Sequence, residues 1–545
     1  MPSVWPGGWW RVRDIVEQQK IAAWATVDLA ARNRETVLRN MYLKASRQVE
    51  RGRTGPVKAY VLAAGQHDPL TVRKLVNMFL ASGVEVHETK SQVIVDGRVY
   101  APGSFVVTMA QPKQALVRWM LGRTFYPDNT YTRDRDGNPI RPYDMSTDTF
   151  GEFMGVRSDP IGEAIPAASL TRIAAPLVPT ASVPPSAPHG YVLDGRLNDS
   201  YRAAFLLLAK GIPVRRANQA LPDGRIRAGD FLIPPGPDVA PIARQAGVDF
   251  VAVANPVPAD TTALTAPRVG LFQRYRGGNM DEGWTRLLFE QFDVPFTTVR
   301  DADLKAGGLD SKFDVIVLPA DSPGAMIGEE PGAGGRGGGA GGGAGEAQRR
   351  TPPEYRSGFG ADGVKALQAF VEAGGTLLTF GQAADLPVQR FGLPVRNVVA
   401  GLSSKEFWAP GSTLRVRYAN DQPLAFGMPS EGLALFMSGS KAYEVTSTDR
   451  SQDVTILATY VDRDILQSGW LLGEQVIARK AAAVAVTQGK GRVVLIGFRP
   501  QNRAQTQARS IWCSTRSLPE RVEHHQFQKF RISPPPQRFE GWRWW

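Results

Sequence analysis

The stretch 266–392 constrains the fold more than any other part of the chain. Arg268-Val269-Gly270-Leu271-Phe272 is a short apolar run, and 281–292 then carries acids first and apolar residues at helical spacing. Further apolar runs stand at 296–299 and 313–319. After a glycine-rich break, 363–373 repeats the helical spacing, and Gly374-Gly375 leads into the run 376–380. Short runs that are apolar on both faces and alternate with helices predict a parallel sheet covered on both sides. In such a sheet a ligand sits outside the carboxyl ends of the strands.

Upstream, residues 10–50 contain no Gly or Pro and are rich in Ala, Arg, Glu and Leu. This predicts one long helix or a helical pair, ended by Gly52 to Gly55 and too polar to stand without something to pack on. A new unit then opens with the strand 57–62. Asp68 and Pro69 open a helix whose apolar positions are Leu70, Val72, Leu75, Val76, Phe79 and Leu80, and Gly83 stops it. A strand at 84–86 follows, then a hairpin turned by Asp96-Gly97 and a last strand at 100–107. The same order recurs at 190–193, 206–214, 223–226 and 229–233, which predicts two similar α/β modules side by side. Between the copies, 157–188 is rich in Pro, Ala and Ser and is expected to be a linker or extended surface segment.

The expected organisation is therefore an α/β protein in four parts. A helical segment covers 1–55, and a duplicated module 56–265, with copies at about 57–110 and 190–235. A doubly wound parallel-sheet domain with added β segments covers 266–504, with a disordered glycine-rich loop at 332–345. The tail 505–545 has no apolar period and stands where a closing helix would be expected, so an unstructured or out-of-frame extension is expected there. Runs at 414–418, 442–445 and 454–460 supply the added β segments. The run at 491–498 is expected to return to the parallel sheet.

The chain has 545 residues, 43% hydrophobic and 21% charged, as in soluble globular proteins. Its net charge of +12 comes from scattered arginines with no basic helix, so nucleic acid is not an expected partner. No stretch is long and apolar enough for a membrane span, and no signal peptide opens the chain, so as given it would stay in the cytoplasm. A single cysteine, Cys513, excludes an internal disulfide framework. The five histidines stand in no zinc-binding spacing; His67 and His87 are the only pair within the folded body that could be weighed as ligands. The turn after the strand 376–380 carries Gln382 and Ala383 where an amidotransferase would carry its nucleophile. Gly358-Phe359-Gly360-Ala361-Asp362-Gly363 matches a dinucleotide-binding pattern but lacks the strand that must precede it. What remains is a polar set at the expected carboxyl ends of the strands: Arg274, Tyr275, Asp281, Glu282, Trp284, Arg286, Asp321 and Gln382. These are the candidate lining of a small-molecule or peptide pocket.

Several separated motifs agree in order with one family. They are Gly8-Trp9-Trp10-Arg11-Val12-Arg13-Asp14, Gln66-His67-Asp68-Pro69, Ala101-Pro102-Gly103-Ser104-Phe105, Asp281-Glu282-Gly283-Trp284-Thr285-Arg286, Ser468-Gly469-Trp470-Leu471-Leu472-Gly473-Glu474 and Gly497-Phe498-Arg499-Pro500-Gln501. Over 9–505 the chain resembles the carboxyl-terminal, non-catalytic region of large bacterial zinc carboxypeptidase-like proteins of the M14 family, with a class I glutamine amidotransferase-like domain. The resemblance implies a zinc-holding peptidase domain as partner and a peptide or cell-wall-like ligand, with family members usually exported. None of the family's zinc ligands has a counterpart here, so no cofactor is expected in this chain. The expectation is an accessory binding region. The rival is an independent hydrolase using the acid pair Asp281 and Glu282, or a truncated product without activity.

Overall fold

The computed structural model describes residues 8–222, 224–256, 260–275, 278–329, 352, 356–446 and 453–506. The glycine-rich loop 332–345 and all of the tail beyond residue 506 lie outside the described residues.

In chain order the first part contains α1 (Val12–Arg32), α2 (Arg34–Thr54), β1 (Ala59–Leu62), α3 (Pro69–Ala81), β2 (His87–Thr89), β3 (Val93–Val95), β4 (Arg98–Tyr100), β5 (Phe105–Thr108), α4 (Gln114–Leu121), α5 (Phe150–Met154), β6 (Asp159–Ile161) and β7 (Leu170–Arg172). The second copy contains β8 (Tyr191–Leu193), α6 (Asn198–Ala209), β9 (Val214–Ala217), β10 (Phe231–Ile233), α7 (Val239–Ala246), β11 (Val251–Ala252) and β12 (Thr261–Leu264). Each copy forms a five-stranded sheet, in the orders β6-β1-β5-β2-β7 and β11-β8-β10-β9-β12. Strand for strand these are the same arrangement, antiparallel throughout.

The segment 157–188 is more than a linker. It supplies both edge strands of the first sheet, β6 against β1 and β7 against β2. Pro160 is tolerated because an edge strand leaves one row of backbone groups unpaired. Strands of three residues are too short to show a period. The hairpin β3–β4 pairs only with itself. In the second copy the equivalent turn is closed by Leu221 O accepting from Gly224 N at 3.0 Å, and residue 223 is outside the described set.

The third part is the predicted doubly wound sheet. It contains β13 (Val269–Phe272), α8 (Met280–Gln291), β14 (Phe296–Val299), α9 (Asp301–Ala306), β15 (Val315–Leu318), the helix Gly360–Glu372 and β16 (Thr376–Phe380). Then come β17 (Val395–Asn397), β18 (Ser412–Tyr418), β19 (Glu431–Phe436), β20 (Tyr443–Val445), β21 (Val454–Tyr460), β22 (Leu466–Ser468), β23 (Ala481–Gln488) and β24 (Gly491–Ile496). The parallel order is β14-β13-β15-β16-β24, and β23, β21, β18 and β19 extend it antiparallel. The expected return of the last strand is thus β24 beside β16. Alternate side chains point to opposite faces: Leu271, Val317, Leu378 and Val494 join α8 in one core, while Ile316, Leu377 and Val493 join α9 and Gly360–Glu372 in the other. Each such fully buried side chain contributes about 1.5–3 kcal/mol.

Two of the three dinucleotide-like glycines, Gly358 and Gly363, serve close packing, while Gly360 has φ of +60° and open space beside it. Gly358 donates its backbone N–H to Asp301 Oδ2 at 2.8 Å, and a Cβ there would lie 2.4 Å from the Cα of Gly328.

The amino-terminal segment is the helical pair, and it departs from expectation in its packing. No residue of α1 is buried, so the expected packing partner is not found among the described residues. α2 runs to Thr54 and is capped by Gly55, within the expected Gly52 to Gly55; Gly52 is its one buried residue, set against the backbone of Met109. A Cβ at Gly52 would lie 1.8 Å from Met109 O. Replacing Gly by Ala inside a helix gains about 1 kcal/mol of propensity, but overpacking against backbone costs about 1–3 kcal/mol or more. Gly52→Ala is therefore expected to destabilise the protein by about 1–2 kcal/mol in urea denaturation, and a stabilised variant would contradict this close approach.

Candidate functional site

The topology reverses direction at β13: β14 lies on one side and β15 on the other, and both pair with it in parallel. The crevice outside their carboxyl ends is where the predicted polar set falls. Asn279 caps α8, its Oδ1 accepting from Asp281 N at 2.9 Å, while its Nδ2 reaches Ala320 O at 3.2 Å and Asp321 Oδ2 at 3.5 Å. Arg274 Nε stands 3.4 Å from Asp321 Oδ2, and Arg499 Nε stands 3.4 Å from Asp281 Oδ1. Gln501 Nε2 also donates to Asp281 Oδ1, at 3.4 Å. Burial pushes the Asp281 carboxyl up to about 6, with Arg499 opposing the rise and Asp321 adding to it.

The acid pair does not converge. Neighbouring residues on a helix point about 100° apart, and Glu282 turns away from Asp281 to form an ion pair with Arg286 and to accept from Gln273 Nε2 at 3.3 Å. Arg286 lies over the Phe296 ring and donates to Thr298 Oγ1 at 3.0 Å, above β14. Arg274, Asp281 and Asp321 therefore form one group, and Glu282 and Arg286 another. Tyr275 is half exposed, Trp284 is partly covered, and Gln382 sits against Gly439. Asn279, Arg499 and Gln501 belong to the first group and were missed. The signal for Arg499 and Gln501 was their place just after β24, at the same sheet edge.

A second constellation lies between the three parts of the chain, in a cleft of about 610 Å³. Its floor is held by Glu152 of α5, whose carboxylate accepts four hydrogen bonds. Oε1 accepts from Arg123 Nε at 3.2 Å and Gln467 Nε2 at 3.0 Å, and Oε2 from Thr413 Oγ1 at 2.8 Å and Ser468 Oγ at 2.6 Å. Gln467 in turn accepts from Arg415 Nε at 2.8 Å. Opposite, α3 and α6 both begin at the cleft. Asp68 caps α3 through Leu70 N and Thr71 N, as expected, and its Oδ2 also accepts from Asn198 Nδ2 at 3.0 Å. His67 Nε2 is 2.8 Å from Gly427 O, and burial pushes its imidazole pKa down.

The cleft lining carries six arginines and five carboxylates, but their pairing is uneven. Glu152 is used by Arg123, Glu431 lies 3.7 Å from Arg417, and Asp68 is spent on capping. Arg415 is half-buried and meets the neutral amide oxygen of Gln467; among the described residues no carboxylate lies within 4.0 Å of it. Apart from His67 and Asp68, this lining was not singled out in the sequence, because it is drawn from seven separate segments. His87 sits on β2, apart from His67. Among the described residues no group of three or more His, Cys, Asp or Glu side chains could hold a metal ion, and no helix is long and apolar enough to cross a membrane.

No protein-family model and no curated protein matches the chain. Solved structures share parts of it at low scores. A cytoplasmic protein of Salmonella typhimurium is 11% identical, with TM-score 0.28, covering 46% of this chain and 97% of its own. A β-galactosidase of Bacillus circulans sp. alkalophilus is 9% identical, with TM-score 0.26, covering 47% and 32%. The exo-β-1,4-mannosidase of Opitutaceae bacterium strain TAV5 is 13% identical, with TM-score 0.27, covering 46% and 36%. At scores this low, such likenesses say nothing about what the chain does.

Two outcomes follow from the two buried carboxylates. Removing Glu152 strands the buried hydroxyls of Thr413 and Ser468, so Glu152→Ala is expected to cost about 2–4 kcal/mol in thermal unfolding, and Glu152→Gln less than half of that. Asp281 works in the opposite sense. Its folded value lies above the ordinary 3.8, so the folded state binds the proton more tightly. That stabilisation is complete below about pH 4 and is lost as the pH rises through 6. Asp281→Asn should therefore raise stability at pH 7 by about 1–3 kcal/mol and flatten the pH dependence between 4 and 6. An unchanged pH slope in urea titrations would count against it.

Proposed function

We propose that this chain is a non-catalytic binding region that holds a peptide-like ligand in the cleft between its three parts, as the accessory portion of a zinc carboxypeptidase-type protein. The observation that carries the proposal is Arg415, half-buried in the cleft floor with a neutral partner and no carboxylate beside it. A guanidinium in that state is a ready partner for an incoming carboxylate, and a charge-assisted hydrogen bond to it is stronger than a neutral one. Asp462 and Asp464 line the same cleft, so both signs of charge are present, which suits a peptide with an amine and a carboxylate better than a simple anion. The resemblance to the region beside M14 peptidases supports a peptide as the ligand class and a peptidase domain as the partner. Every binding side chain named here belongs to this chain, and the hydrolytic chemistry would be the partner's.

Tetraalanine with a free carboxylate is expected to bind the purified protein in calorimetry, and its carboxamide form much more weakly. Arg415→Ala, checked for folding by its melting curve, should weaken tetraalanine by about tenfold, the loss of one charge-assisted bond. Equal affinity of acid and amide would remove the carboxylate from the reading. Stoichiometric zinc or chelator-sensitive peptide hydrolysis by this chain alone would overturn its non-catalytic part.

A further inference from the structure

A second cleft of about 640 Å³ adjoins the first. The two share a wall made of Leu121, Arg123, Arg157 and Ser158, so they are successive compartments of one groove. Their charge differs in kind. The second is lined by Arg98, Arg118, Arg123 and Arg157 against a single carboxylate, Asp159. That carboxylate is already engaged: Arg157 Nε lies 3.0 Å from Oδ1, Arg98 Nη1 3.8 Å from Oδ1, and Tyr100 Oη 3.2 Å from Oδ2. Arg123 is engaged by Glu152 from the side of the first cleft. Arg118 is exposed, and among the described residues no carboxylate lies within 4.0 Å of it. Its charge is felt by the buried Tyr60 phenol, whose rise through burial it opposes.

The remaining walls are aromatic. Trp119 and Phe125 are 50% and 64% exposed there, large apolar faces left open beside the Arg118 guanidinium. Such faces alone would be ordinary surface. Set in a concave compartment with an excess of arginine, they make a site for a side chain that presents a carboxylate on an apolar stem.

Resting on the reading that the first cleft takes a peptide carboxylate at Arg415, we propose that the groove binds an extended acidic peptide. Its carboxyl end lies in the first cleft, its chain passes the Arg123 and Arg157 wall, and a glutamate or aspartate side chain enters the second cleft against Arg118 and Arg98. An extended peptide advances about 3.3–3.6 Å per residue, so eight residues supply about 26 Å of reach.

The test compares two alanine-based octapeptides with free carboxylates, one with two glutamates near its amino end and one with glutamines there, beside tetraalanine. In calorimetry at fixed salt, the glutamate peptide should bind about tenfold more tightly than the glutamine peptide. The double variant Arg98→Ala/Arg118→Ala, both at exposed positions, should erase that difference while leaving tetraalanine affinity unchanged. Equal affinity of the two octapeptides for the natural chain, with tetraalanine still bound, would overturn the second compartment. Failure of tetraalanine to bind would instead overturn the parent reading. A glutamate preference that survives the double variant would assign it to general attraction by the positive chain and also overturn the proposal.

Discussion

The buried carboxylate of Glu152 is the interaction that fastens the first module to the large sheet domain. It comes from α5 in the first module, yet three of its four partners, Thr413, Ser468 and Gln467, belong to the large sheet domain. Taking a carboxylate out of water costs several kcal/mol unless its lone pairs are filled, and here both oxygens are. Around this point the other contacts are of the same kind. Ser146 Oγ donates to Gly411 O at 3.0 Å, Thr147 and Ser468 hydroxyls meet at 2.9 Å, and Tyr126 stacks on Trp470 at 5.3 Å. Polar contacts of defined geometry fix a relative orientation where apolar contacts alone would let surfaces slide. The cleft exists because that orientation is held.

The second module is tied to the same domain through one turn. Tyr201 Oη and Arg216 Nη2 both donate to Phe426 O at 3.4 Å, His67 from the first module meets Gly427 O, and Arg216 lies over the Phe426 ring. Gly427 has φ of +81°, and a Cβ there would lie 2.1 Å from Gly195 O. Only glycine lets the turn come so close to the second module while adopting that backbone. Thus one short loop of the sheet domain receives both copies of the duplicated unit, and the pseudo-symmetry of the two sheets is used to present two helix starts, at Asp68 and Asn198, to one opening.

Much of this could be read from the chain. The buried parallel strands β13, β15 and β16 are apolar on both faces, and β16 is bounded by Gly375 and Gly381, so run length and punctuation agree. The duplication was legible because strand, helix and hairpin recur in one order. What could not be read has physical causes. The strands β6 and β7 are three residues long and gain their status from a neighbour's backbone. The helix end at Gly52 to Gly55 could be read, but local propensity cannot report that Met109 lies against Gly52. The amino-terminal helices show polar composition, and what covers α1 is a tertiary fact. For the polar set at the sheet edge, the strand ends placed Arg274, Asp281 and Asp321 together, but adjacency in sequence wrongly paired Asp281 with Glu282. The cleft was invisible for the simplest reason: Arg123, Glu152, Arg196, Arg415 and Arg463 come from segments that only folding brings to one place.

The two buried acids show why burial alone does not tell what a carboxylate does. Glu152 is surrounded by donors on both oxygens, and its removal would leave those donors facing nothing. Asp281 is buried as deeply, but its side-chain contacts are an arginine and an amide, both at 3.4 Å on one oxygen, with a second carboxylate, Asp321, raising its pKa. The first arrangement fastens one part of the protein to another. The second leaves a carboxyl group poorly satisfied at the carboxyl ends of a parallel sheet, where a ligand would be received in an open fold of this kind. With Arg499 beside Asp281 and Arg274 beside Asp321, the two ends of the large domain differ in physical character: the antiparallel extension contributes filled hydrogen bonds that hold the molecule together, and the parallel edge gathers loosely paired charges.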